Sequence, residues 1–184
     1  MVEEIFDEAL ARFLAVEREL IARDASERSL CCRLAMKLEN SMLNRGIEGY
    51  YVDTDYNRNQ GGKIKTIVGK GYRVIEIYAD IIMHSRGAIP ARDNLLAIEM
   101  KKSKRRPSAK ESDRERLRAL TKSSYDGVWT ADGKTLPEHV CGYELGVFIE
   151  IDIADMHAQT EFYKGGVYRH SRGISFGKQP VSNS

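Results

Sequence analysis

The run Asn94-Leu95-Leu96-Ala97-Ile98-Glu99-Met100-Lys101 constrains this chain more than any other, because it sets a carboxylate and an ammonium two residues apart in a stretch too apolar for a surface loop. On a β-strand, residues i and i+2 share a face, with Cα atoms about 7 Å apart. Glu99 and Lys101 therefore stand side by side, and Leu96, Ile98 and Met100 form the opposite, apolar face.

A second segment, Tyr72 to His84, obeys the same alternation: Ile75, Ile77, Ala79, Ile81 and Met83 are apolar, whereas the even positions include Glu76, Tyr78, Asp80 and His84. If the two segments pair as a hairpin, both apolar sets must face one core, since a one-residue slip turns a whole set outward. Asp80, Glu99 and Lys101 then share the other side. A register with Asp80 opposite Glu99 meets this condition and leaves Ser85 to Asn94 as the connection. Two carboxylates that close repel, and a cation between them relieves the repulsion. All-oxygen ligation suits Mg²⁺ or Mn²⁺, which lowers the pKa of a bound water and neutralises charge growing on phosphorus. Lys101 is placed to orient that water or to stabilise an anionic transition state.

Around this pair the periodicity predicts further elements. Ile5, Phe6, Ala9, Leu10, Phe13 and Leu14 recur at helical spacing over the first ~20 residues. A second helix is expected from Asp24, with Asp24 and Glu27 as a capping pair, to Asn44-Arg45-Gly46. Ser108 and Glu111 after Pro107 open a third, reaching about Lys122. Strands are expected at Gly49 to Tyr56, Ile64 to Val68 and Tyr143 to Ile153, with an edge strand at Phe162 to Arg169. The order predicts a single α/β or α+β domain over residues 1–170, a mixed sheet flanked by helices, and a flexible tail over 171–184.

The 184 residues fit one core, and no apolar run approaches the ~20 needed to span a bilayer. The start Met1-Val2-Glu3-Glu4 is acidic, not the basic-then-apolar opening of a secretory leader, so a cytoplasmic location without a membrane partner is expected. Cys31, Cys32 and Cys141 offer neither a disulfide framework nor zinc spacing. Lys70 between Gly69 and Gly71 lacks the rest of a phosphate-cradling loop. His84, Tyr125, Trp129 and His139 stand isolated in the sequence. Asp113, on the stripe of Leu117 and Leu120, reads as a first-turn residue facing the helix dipole or as a partner of Lys101.

A net charge of +2 does not define a nucleic-acid binder, but its distribution is uneven. Lys102, Lys104, Arg105 and Arg106 follow the strand at once, and Lys110 and Arg114 come next. With Arg58, these are the candidate phosphate contacts.

Ala79-Asp80 and Glu99-Met100-Lys101 together resemble the PD-(D/E)XK nuclease superfamily, in which an aspartate on one strand precedes a D/E-x-K on its neighbour. Ala79 replaces the usual proline. The stretch Ala79 to Gly87, then Asn94 to Ser103, is similar to a bacterial and prophage-associated branch. Val52-Asp53-Thr54-Asp55-Tyr56-Asn57-Arg58 and Glu27-Arg28-Ser29 match segments that precede its catalytic strands. The likeness covers about Asp24 to Tyr125.

The resemblance implies a restriction-endonuclease-like core and Mg²⁺-dependent hydrolysis of phosphodiesters, DNA ahead of RNA. It also implies a helix carboxylate completing the metal site, a role that Glu27 matches by position. The implied catalytic set is Asp80, Glu99, Lys101 and Glu27, with Asp80, Glu99 and Glu27 on the metal. Symmetric cutting of both strands by so small a chain would call for a homodimer. The alternative is an inactive module of the same fold that binds nucleic acid or serves a larger complex, for instance in phage defence.

Overall fold

The structure, a computed structural model, describes residues 1–55, 66–68, 74–76, 79–122 and 142–177. The N-terminal apolar spacing produces α1 (Val2–Val16), which buries Ile5, Phe6, Ala9, Leu10, Phe13 and Leu14. The helical stretch breaks at Glu17, and a short α2 (Arg18–Ala22) follows. Glu17 is buried there beside the Lys37 ammonium at 3.1 Å.

Helix α3 (Glu27–Asn44) starts later than expected. Ser26, not Asp24, is its cap, its hydroxyl accepting the Ser29 N–H, and Glu27 is the first helical residue, not the third. The helix ends where anticipated, with Gly46 at φ 64°. Strand β1 (Tyr51–Thr54) follows, then the hairpin of β2 (Thr66–Val68) with β3 (Val74–Glu76). Next come β4 (Ile81–His84), a 3-10 turn at Pro90–Arg92, β5 (Asn94–Lys102) and α4 (Pro107–Leu120). The last three strands are β6 (Leu145–Asp152), β7 (His157–Lys164) and β8 (Val167–Ser175).

Six strands form one mixed sheet in the order β1-β4-β5-β6-β7-β8. Only the β5–β6 pair is parallel, and α4 makes that crossover. The α/β expectation of a mixed sheet flanked by helices holds. Helices α1 and α3 cover one face, burying Ile81, Met83, Leu96, Ile98 and Met100 together with Leu30, Leu34 and Leu38. On the other face Leu117 and Leu120 of α4 pack on Ile82, Ala97, Phe148 and Tyr163.

Three further expected elements differ. Tyr72 to His84 is not one strand: β3 pairs with β2 in a separate two-stranded sheet, Ala79 and Asp80 are not in a strand, and β4 begins at Ile81. Residues 72–73 and 77–78 lie outside the described residues. Asp80 lies at the bend, where its carboxylate Oδ2 accepts the Met100 N–H at 2.8 Å. Ala79 consequently packs in the α4 cluster, not the main core. The Ser108–Glu111 capping box does not form; Arg106 is the cap position, and Pro107 begins α4, which runs to Leu120. Phe162 to Arg169 spans a turn between two strands. Gly165 and Gly166 both take positive φ there, as a two-residue hairpin loop with the twist of its strands requires. Strand β8 thus carries Ser171 to Ser175 of the expected tail, and residues 178–184 lie outside the described residues.

Candidate metal centre

Strand β5 has the predicted alternation at closer quarters than the sequence suggests. The antiparallel register pairs Ile81 with Ile98, so its next step brings Asp80 beside Glu99. Glu99 is 1% exposed. Burial, then the charge of Asp80, push its carboxyl well above the usual range. Lys101 Nζ stands 3.5 Å from Asp80 Oδ2 and 3.1 Å from the Met100 carbonyl oxygen, to which it donates. Burial works against the ammonium, but Asp80 and Asp113 outweigh it and raise its pKa.

Helix α4 adds two residues. Asp113 is buried, and its Oδ2 forms an ion pair with Lys101 Nζ at 2.9 Å. Of the two sequence readings of Asp113, contact with Lys101 is the one found. Arg116, which drew no notice in the sequence, donates from Nη1 to Glu99 Oε1 at 2.8 Å and to Asp113 Oδ1 at 3.0 Å. The signal for it was present: Asp113 and Arg116 are three apart, so they share the helix face that Leu117 and Leu120 bury. Three carboxylates (Asp80, Glu99, Asp113) and two cations (Lys101, Arg116) leave one net negative charge when all are ionised.

Glu27 lies across the sheet end from this cluster. Its Oε1 accepts the Lys102 N–H at 3.0 Å, and Arg105 donates to Oε1 at 2.8 Å and to Oε2 at 3.1 Å. Burial would raise its pKa; the Arg105 and Lys102 hydrogen bonds prevail and lower it. Asp24, expected as the cap, instead takes φ 58° and receives Lys102 Nζ at 2.6 Å. With Lys104 as a second partner, its carboxyl falls to about 2. Glu27 and Asp80 do meet in one cleft of about 310 Å³, lined also by Ser26, Arg28, Cys31, Thr54, Asp55 and Arg105. Arg28 Nε donates to Asp55 Oδ2 at 2.8 Å across the cleft, joining two segments that the resemblance singled out.

The expected phosphate contacts are mostly committed within the fold. Lys102 and Lys104 hold Asp24, Arg105 holds Glu27, Lys110 meets Glu150 at 2.9 Å, and Arg114 meets Glu161 at 2.8 Å. Arg106 is exposed, and its side chain has no hydrogen-bond or ion-pair partner among the described residues. Arg58, Lys70, Tyr125, Trp129 and His139 lie outside the described residues. His84 is not isolated: it is buried, with Nε2 2.8 Å from Asp53 Oδ2, and Arg86 Nε donates to the same oxygen at 2.9 Å.

The donor set fits a hard cation in one respect. Glu99 Oε2 is buried and has no hydrogen-bond partner. An orphaned carboxylate oxygen of that kind is costly unless something positive meets it. Among the described residues, no three His, Cys, Asp or Glu side chains converge as a metal-binding group. No described helix is long and apolar enough to cross a membrane. Comparison of the chain with protein-family models, curated proteins and solved structures gives no match.

Proposed function

We propose that this protein is a Mg²⁺- or Mn²⁺-dependent nuclease of the PD-(D/E)XK type, acting on DNA in preference to RNA. The observation that carries the reading is the β4–β5 register, which sets Asp80 next to Glu99 while Lys101 reaches the Asp80 carboxylate. Asp80 and Glu99 would hold the metal, and Glu27 would join them from the cleft after releasing Arg105. The bound ion supplies a Lewis acid for the phosphodiester and an acidified water. Lys101, held by Asp80 and Asp113, positions the attacking water and stabilises negative charge as it grows. Asp113 fixes the direction of that ammonium. Arg106 at the start of α4 is the exposed cation best placed to meet a nucleic-acid backbone.

The test is incubation with plasmid, linear duplex, single-stranded DNA and RNA, each with Mg²⁺, Mn²⁺ or EDTA. Metal-dependent cleavage that EDTA stops is expected, with DNA cut faster. One observation favours a second reading, an inactive nucleic-acid-binding module or subunit of a larger complex: every charge in the cluster already has an internal counter-charge. That reading predicts salt-sensitive DNA binding indifferent to EDTA, with no cleavage of any substrate.

A further inference from the structure

Among the described residues, four arginine–carboxylate pairs are closed on both oxygens. Arg105 spans Glu27, Arg114 spans Glu161, Arg92 spans Glu144 and Arg86 spans Asp53, each guanidinium donating to both oxygens of its partner. This two-point geometry is what a planar fork meeting a carboxylate ordinarily adopts. One-point pairs such as Arg28–Asp55, Arg118–Glu111 and Arg172–Asp7 sit on exposed carboxylates, whereas Arg116 and Glu99 make one on a buried carboxylate. Arg116 reaches only Oε1, and it spends the same nitrogen on Asp113 Oδ1 at 3.0 Å. Oε2 is left with no partner, on the most deeply buried carboxylate of the five. A pair built only to neutralise a buried charge would close both oxygens.

We infer that Arg116 is a positioning residue for the metal site: it fixes Glu99 through one oxygen so that the other stays available to a divalent cation shared with Asp80. This rests on the metal-site reading above and adds to it a residue outside the D/E-x-K pattern. Two features make the one-sided grip stable. Asp113, bonded to the same Arg116 nitrogen, offsets the guanidinium charge, so a cation at Oε2 meets a hydrogen-bond donor more than a bare positive charge. The helix that carries Arg116 is anchored on either side of the contact by buried Asp113, Leu117 and Leu120. Without the guanidinium, Glu99 is free to turn toward Lys101, the other cation of the cluster, and both are then withdrawn from the site.

Groups that orient a metal-binding side chain typically change metal affinity about 10–100-fold when removed. Mn²⁺ binding to the full chain, followed by loss of the free-ion electron paramagnetic resonance signal at one fixed pH, measures this without any substrate. Arg116→Met is expected to weaken Mn²⁺ at least about 10-fold, and Arg116→Lys, which keeps a donor, to recover most of that loss. Arg116→Gln takes the place of the methionine variant if near-UV circular dichroism shows the latter unfolded, and the same weakening is expected. Arg118→Met, on the same helix but paired with Glu111, controls for generic damage and should bind as the parent does. Unchanged or tighter Mn²⁺ binding in folded Arg116→Met or Arg116→Gln overturns the role of Arg116 while leaving the metal site standing. Failure of the unaltered protein to bind Mn²⁺ overturns both.

Discussion

At Ile98 and Glu99 the two faces of β5 are equally buried and do opposite work. Leu96, Ile98 and Met100 face α1 and α3 in a continuous apolar core, while Glu99 and Lys101 face α4 amid Asp80, Asp113 and Arg116. Ile98 is 0% exposed and Glu99 1%. Burial stabilises the first by removing hydrocarbon from water, and it penalises the second by stripping a charge of its hydration. The fold accommodates that penalty with counter-charges from α4, yet leaves Glu99 Oε2 without a hydrogen-bond partner. On the α4 face β5 contributes Ala97 to a smaller apolar cluster, and its end toward Lys101 is given to charge.

Substitutions on the two faces should therefore separate activity from stability. The largest effect is expected from Lys101→Ala or Glu99→Ala, each lowering Mg²⁺-dependent cleavage by about 100-fold or more, as loss of transition-state charge stabilisation does. Circular dichroism should show the fold retained; full activity in either variant breaks the comparison. Next comes Ile98→Ala on the opposite face, expected to cost about 2–5 kcal/mol of unfolding free energy by urea denaturation. It should leave Mn²⁺ affinity unchanged, and a loss of affinity equal to that of Glu99→Ala would show that the faces are not separable.

A smaller effect sharpens the contrast between two carboxylates that arginines of α4 grip. Burial tends to raise the pKa of Glu161, but hydrogen bonds from Arg114 and the Tyr163 hydroxyl outweigh it and hold it below the ordinary 4.5. A depressed carboxyl contributes stability above its unfolded pKa and loses it as pH falls through the folded value. Glu161→Gln should flatten the decline in stability below about pH 4.5, read from urea midpoints between neutral and acid pH; an unaltered decline would sever the link to Arg114. The smallest change is expected at Lys104, a 63% exposed partner of Asp24, where alanine should alter stability by less than about 1 kcal/mol.

How far these faces could be read from the sequence depends on which forces set them. The two-residue period of Leu96, Ile98 and Met100 against Glu99 and Lys101 is local, and the register demanded by one shared core then fixes Asp80 near Glu99. Those features were legible. The start of α3 was not, because Asp24 and Ser26 are both capping types, and the choice falls to distant partners: Lys102 and Lys104 take Asp24. Arg116 was hidden for a related reason, since its helical stripe is visible but its contact with Glu99 on the strand that α4 covers is not. Strand β8 escaped because its side chains are almost all exposed and carry no alternation, its place being set by pairing to β7 and the Gly165-Gly166 turn.

A crystal of the unaltered protein soaked in Mn²⁺, with data collected at the manganese absorption edge, addresses the metal site itself. The account predicts one anomalous peak in direct contact with carboxylate oxygens of both Asp80 and Glu99, on the side where Glu99 Oε2 is unpartnered. No peak there at saturating Mn²⁺, or one bound elsewhere with the Asp80–Lys101–Asp113–Arg116–Glu99 pairs intact, would contradict it.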